Sequence, residues 1–131
     1  MPSRDEHIRK AEHNKSFADS FNWDSTPFLD WVVTGFFYSA LHYVDAYLAT
    51  VNGGIHPHSH TGYGGRDSYV GKHLNQIYVD YRDLKQGSID ARYNMRNFTV
   101  DEVRNDILPL FDNIKNTISG LLTLMHTRKI P

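Results

Sequence analysis

The sequence predicts an all-α protein with the architecture of an up-and-down four-helix bundle. Apolar residues recur at helical spacing in four segments, and short links rich in Gly, Pro or Asn join them. No stretch alternates at a period of two for long enough to form a strand. The length of 131 residues fits a single domain, 1–131, with one hydrophobic core.

The first predicted helix runs from about Arg4 to Phe21. Ser3 is a suitable N-cap, and Asp5 and Glu6 put negative charge in the first turn, where the helix dipole favours it. The apolar stripe of this helix is thin, which predicts a position at the edge of the bundle. Its members are Ile8, Ala11, Ala18 and Phe21.

The second predicted helix runs from about Pro27 to Val51, with Ser25 or Thr26 as its cap. Pro27 would occupy the first helical position, which proline favours. Apolar side chains surround most of the circumference, so this helix is expected at the centre of the bundle or at a subunit interface. The Asn-Gly-Gly of residues 52–54 ends it.

Glycine, proline and histidine dominate residues 55–65, which predicts a loop. The third helix follows from about Arg66 to Gln86, and Gly87 is expected to end it, with residues 88–93 adding one short helical turn. Thr99 and Glu102 form a capping box that opens the fourth helix, which continues to about His126.

Pro109 should kink the fourth helix, because it cannot donate a hydrogen bond to the carbonyl of residue 105.

Composition excludes several functional classes. The net charge of −1 argues against the broad basic surface of a duplex-DNA binder. The chain contains no cysteine, which excludes disulfides and thiolate metal sites and indicates a reducing compartment. The polar N-terminus shows no signal peptide, and charges interrupt the longest apolar region, so we expect a cytoplasmic protein that does not span a membrane.

Two stretches of the chain carry motifs in a specific order. Residues 36–60 read FFYSALHYVDAYLATVNGGIHPHSH, an aromatic-Tyr-x-Ala-x-His helix followed by a His-bearing loop. Residues 74–103 read LNQIYVDYRDLKQGSIDARYNMRNFTVDEV, a Leu/Tyr-rich helix, an Arg beside Ala-x-Tyr, and a final capped helix. This order of motifs, over residues 30–122, resembles that of the HEPN (higher eukaryotes and prokaryotes nucleotide-binding) family.

The resemblance implies a homodimeric helical bundle that acts on RNA. Many family members are metal-independent endoribonucleases of toxin–antitoxin or defence systems, with an antitoxin or a nucleotidyltransferase as a candidate partner. Other members lack the catalytic motif and bind nucleotides or proteins. No cofactor and no metal are expected from this resemblance.

Active HEPN members carry an Arg, a polar residue and then a His, and Arg66, Asp67 and His73 fit that order with six residues between Arg and His. We therefore expect Arg66 to hold the scissile phosphate, His73 to transfer a proton, and Asp67 to orient Arg66. The alternative is structural: Arg66 opens the helix on the surface and His73 borders an apolar stripe. In many active members the motif instead opens the last helix, where this chain has no matching His.

His42 and Asp45 are three residues apart in the most apolar helix and share a face. An unpartnered polar group buried there would cost on the order of 1–3 kcal/mol. We expect the two to satisfy each other or to reach Arg66 or Arg92, either at a substrate site or as buried structural polarity.

Arg92 and Tyr93 are the second pair predicted to bind substrate. Arg92 can bind phosphate, and Tyr93 can stack on a base or donate its hydroxyl. The competing interpretation is that Arg92 caps helix carbonyls while Tyr93 packs in the core.

His56, His58 and His60 form a His-x-His-x-His pattern in the loop. We interpret His58 and His60 as residues that contact substrate phosphate. A metal site in this loop is the weaker alternative, because no carboxylate motif accompanies the histidines.

Overall fold

The computed structural model describes residues 2–51, 53–57, 59–60 and 65–129, with side chains up to residue 125. These residues form an all-helical protein compatible with a helical bundle, and none of them lies in a strand. We number five helices in chain order: α1 (Arg4–Asp19), α2 (Leu29–Leu48), α3 (Arg66–His73), α4 (Tyr78–Tyr93) and α5, which comprises Val100–Glu102, Val103–Ile107 and Leu108–Lys129.

Helix α1 begins as the sequence predicts. The Ser3 hydroxyl accepts from the Glu6 backbone N–H, and the Glu6 carboxylate accepts from the Ser3 backbone N–H, which completes a capping box. The helix ends two residues before the predicted Phe21. Its buried face, which includes Ala11 and Ala18, packs against α2.

Helix α2 is the central helix and packs against α1, α4 and α5. Its position explains why apolar residues surround it. The predicted start is wrong by two residues, because Phe28 is the N-cap and no side chain caps the helix. Instead, the Thr26 hydroxyl accepts from the Phe28 N–H in the segment before the helix.

The third predicted helix is in fact two helices. The chain leaves the helical conformation at Leu74, passes through a 3₁₀ turn at Asn75–Ile77, and re-enters as α4. The predicted stop at Gly87 is wrong, because α4 continues to Tyr93.

Gly87 instead brings α4 close to its neighbours. A Cβ at this position would lie 3.4 Å from Ile107 Cδ1 and 3.7 Å from Val33 Cγ1. Tertiary packing thus overrides the local tendency of glycine to end a helix.

Helix α5 opens with the predicted capping box between Thr99 and Glu102. Its second segment, Val103–Ile107, is π-helical, and the Leu108 N–H donates to the Val103 carbonyl. This wider turn lies just before Pro109, whose ring nitrogen cannot donate. The kink expected at Pro109 stays a prediction, and the structure shows a π turn just before this residue.

The core lies between α2, α4 and α5. Its largest fully buried side chains include Tyr81, Phe36, Phe37 and Phe111. In the part of the chain that the structure describes, no helix combines the length and apolar character needed to cross a membrane.

Candidate functional site

A buried ion pair joins α3 to α2. Arg66 Nε and Nη2 donate to the two carboxylate oxygens of Asp45 at 2.7 and 2.9 Å, and both side chains are less than 10% exposed. Burial alone would lower the pKa of Arg66, but the hydrogen bonds to Asp45 and its negative charge together raise it above its ordinary value. Arg66 is one of the partners that the sequence left open for Asp45.

Asp67 and His73 have other partners. Asp67 Oδ2 accepts from Lys85 Nζ at 2.5 Å, which ties α3 to α4. The His73 ring stacks on Tyr69, one turn earlier in α3, with 6.2 Å between ring centroids. Within the described residues, the three predicted catalytic side chains thus engage three separate sets of neighbours.

The loop before α3 approaches Arg66 from the other side. His60 Nδ1 lies 3.3 Å from Arg66 Nη1, and partial burial together with the Arg66 charge lowers the pKa of His60. The Ser59 and His60 carbonyls accept from the backbone N–H groups of Arg66 and Asp67, each at 2.8 Å. His58, predicted to contact substrate, lies outside the described residues.

A second cluster forms on the other side of Asp45, where α1 meets α2. His7 is buried and its Nδ1 lies 3.1 Å from Nδ1 of His42. Ligand-type atoms of His7, His42 and Asp45 all lie within 4.8 Å of one another. Sequence reasoning placed His42 and Asp45 on one face but missed His7, although its position beside Ile8 and Ala11 in the thin stripe of α1 was a usable signal.

Both histidines in this cluster favour the neutral form. Burial lowers the pKa of His42 to about 4, and the charges of His7, Lys10 and Arg66 add to that effect while Asp45 opposes it. Burial also lowers the pKa of His7. Each neutral imidazole has one nitrogen that carries a lone pair.

Arg92, at the end of α4, occupies a different environment. Its Nη1 donates to the Tyr38 hydroxyl at 2.8 Å, and its Nε donates to the Ser88 carbonyl at 3.3 Å. The guanidinium carbon lies 5.4 Å from the centroid of the Tyr38 ring and 4.9 Å from that of Tyr93. No carboxylate among the described residues is within ion-pair distance of it.

This arrangement agrees with the structural interpretation of Arg92 but not with that of Tyr93. Arg92 does contact a helix carbonyl, as the structural interpretation expected. Tyr93 does not pack in the core, because 70% of its surface is exposed. Its ring is available to a partner.

A cleft of about 460 Å³ opens beside Arg92, between the start of α2 and the segment that follows α4. A smaller depression of about 260 Å³ adjoins it, and Asp30, Ala91 and Arg92 line both. We call the two together the α2–α4 cleft. Arg96 and Phe98 line its larger part, and Trp31 and Tyr93 its smaller part.

Sequence reasoning predicted Tyr93 as a binding residue but missed Trp31, which lines the α2–α4 cleft, and Tyr38, which contacts Arg92. Trp31 is 49% exposed, although it was assigned to the apolar circumference of α2. Tyr38 was assigned likewise, yet its hydroxyl is the acceptor for Arg92. When apolar residues surround a helix, their spacing does not show which aromatic residues are buried and which are exposed near the end of the helix.

In comparisons with known proteins, no family model matches the chain, and no curated protein or solved structure is significantly similar to it.

Proposed function

We propose that this protein is a HEPN-like, non-catalytic module that binds single-stranded RNA, with one nucleotide held in the α2–α4 cleft. The observation that carries the proposal is Arg92, a cation without a carboxylate partner among the described residues, stacked against two tyrosines at the edge of a cleft. The volume of about 460 Å³ lies within the usual range for small-ligand sites.

Arg92 supplies the phosphate contact. Its Nη1 donates to the Tyr38 hydroxyl, and the guanidinium carbon lies 5.4 and 4.9 Å from the centroids of the Tyr38 and Tyr93 rings, so contacts on two sides hold it in place. A preorganised guanidinium can donate two parallel hydrogen bonds to a phosphate at low entropic cost. Arg96 adds positive charge on the same cleft, although it also pairs with Glu102.

Trp31 and Tyr93 supply the base contact. Both line the smaller part of the cleft and expose their rings, and unpaired bases stack readily on such surfaces. Asp30 lines both parts and offers a carboxylate that can accept from a base amino group or a ribose 2′-hydroxyl. The overall charge of −1 fits recognition by a local site rather than by a broad basic surface.

The ribonuclease expectation receives less support. The Arg66 donors point at Asp45 and His60, and the bidentate pair is buried. A guanidinium held in this way serves to attach α3 to α2 rather than to bind a phosphate. The homodimer and the antitoxin or nucleotidyltransferase partner stay predictions from the family resemblance.

The test is binding of a fluorescently labelled single-stranded RNA to tag-free protein in the presence of chelator, followed by anisotropy. Arg92→Ala should weaken binding about 10- to 100-fold, because it removes a charge-assisted contact. Tyr93→Ala should weaken it about 5- to 100-fold through lost stacking, whereas Tyr93→Phe should bind almost as the wild type does. The RNA should stay intact on a gel.

Arg82→Ala is the matched control, because Arg82 is an exposed arginine on the same helix, outside the cleft. Arg82→Ala should leave the affinity for RNA nearly unchanged. Only Arg92→Ala should reduce the slope of log binding constant against log salt concentration, by roughly 0.7. Equal losses in the two variants, or no RNA binding by the wild type, would contradict the proposal. Cleavage that His73→Ala abolishes would restore the ribonuclease interpretation.

A further inference from the structure

We propose that His7, His42 and Asp45 form a binding site for a divalent transition-metal ion, with zinc as the best fit. The cluster lies where α1 meets α2, and the RNA-binding proposal does not use it. It presents two imidazoles and one carboxylate, the ligand types that zinc accepts in three-ligand protein sites.

The distances suit a shared ion. Bonds of about 2.0–2.1 Å in tetrahedral geometry place two ligand atoms roughly 3.4 Å apart. The Nδ1 atoms of His7 and His42 are 3.1 Å apart, and all three ligand atoms lie within 4.8 Å of one another. Side-chain adjustments on the order of 1 Å would bring the carboxylate into the same coordination sphere.

The scaffold holds the ligands in place. His42 and Asp45 project from one face of α2, the best-buried helix, and His7 is fixed opposite them by the packing of α1. Arg66 holds both carboxylate oxygens of Asp45. Such outer contacts orient a ligating carboxylate while leaving it a lone pair for the ion.

The competing explanation is a direct hydrogen bond between the two imidazoles. That bond requires a proton on one Nδ1, whereas a shared metal requires lone pairs on both, with the protons on Nε2. A hydrogen bond between the imidazoles, however, does not involve the Asp45 carboxylate, which supplies a third ligand atom within 4.8 Å of the two histidines.

A fourth coordination position is open to water or to one more side chain. His42 is only half-buried, so solvent can reach the cluster. Because the chain has no cysteine, no thiolate competes for the ion.

The test is calorimetric titration of tag-free protein with zinc, with cobalt(II) as a spectroscopic substitute. One ion should bind per chain, and cobalt should give the intense visible absorption of a four-coordinate site. His7→Ala and His42→Ala should each weaken zinc binding by more than the ~10- to 100-fold that loss of an outer contact produces. His13→Ala is the matched control, since His13 is exposed on the same helix, and it should bind as the wild type does.

The loop histidines provide the second arm. A His56→Ala/His60→Ala variant should retain most of the affinity, losing at most the fourth ligand. Zinc binding that disappears in this variant but survives His7→Ala and His42→Ala would overturn the proposal, as would no binding by the wild type. Circular dichroism without metal checks that each variant is folded.

A measurement on the wild type keeps the proposal falsifiable if a histidine variant unfolds. Anomalous diffraction from a zinc-soaked crystal should place the ion about 2.0–2.2 Å from the two Nδ1 atoms and a carboxylate oxygen of Asp45. An ion found elsewhere, or none, would overturn the site. The RNA-binding test runs in chelator, so either proposal can fail without the other.

Discussion

At the residue scale, the Arg66–Asp45 pair links α3 to α2, and its burial makes the loss of either partner alone costly. Asp45→Asn leaves a buried guanidinium without its counter-charge, which should lower the free energy of unfolding by about 3–5 kcal/mol. Replacing both partners with apolar residues, Arg66→Met with Asp45→Leu, should recover much of that loss. Urea denaturation monitored by circular dichroism measures both.

The exposed pair between Asp24 and Arg104 is the control for this prediction. This pair is also bidentate, with Arg104 Nη1 and Nη2 donating to Asp24 at 2.9 and 3.0 Å, but it lies in solvent. Asp24→Asn should therefore change stability far less than Asp45→Asn. Equal effects would mean that burial does not govern the Arg66–Asp45 pair.

At the element scale, glycines show where helices approach each other. A Cβ at Gly35 would lie 3.2–3.4 Å from Phe17, Ala18 and the Asn14 carbonyl oxygen, because α1 crosses α2 there. Gly35→Ala should destabilise the protein by about 1–3 kcal/mol through overpacking. Gly120→Ala, in an exposed position of α5 with nothing within 4 Å, should stabilise it by about 0.5–1 kcal/mol through helix propensity alone.

Thermal unfolding of the two variants tests this contrast. The expected result is a lower Tm for Gly35→Ala and a higher Tm for Gly120→Ala. A rise in both would show that α1 can move away from α2 at little cost, which would argue against a rigid cluster of His7 with His42.

At the scale of the whole molecule, the His7–His42 cluster should make stability depend on pH. The pKa of His42 is about 4 in the folded protein and about 6.5 when unfolded, so the unfolded state binds more protons between these values. Stability is therefore full above pH 6.5 and declines as pH falls toward 4. Because His42 is only half-buried, we expect a loss on the order of 1–3 kcal/mol.

Urea denaturation at a series of pH values, in chelator, measures this dependence. His42→Gln should flatten the profile between pH 6.5 and 4.5, whereas His13→Ala should leave its shape unchanged. If His42→Gln leaves the slope of unfolding free energy against pH unaltered, other groups cause the acid sensitivity.

The sequence by itself determined the local features of this protein. Helix existence follows from apolar spacing, and the capping boxes at Ser3 and Thr99 follow from hydrogen bonds between residues three apart. Arg66 was one of the partners predicted for Asp45, because a carboxylate buried in an apolar helix needs a polar or charged partner.

Only the tertiary structure decided which distant side chains meet. His7 joins His42 across 35 residues of chain, and Tyr38 joins Arg92 across 54, and no local spacing encodes either contact. Gly87 likewise stays helical because its lack of a side chain lets Ile107 and Val33 pack close to α4. The periodicity of apolar residues identifies the apolar face of a helix. Packing between helices determines which faces meet and therefore which residues are buried and which, such as Trp31, stay exposed.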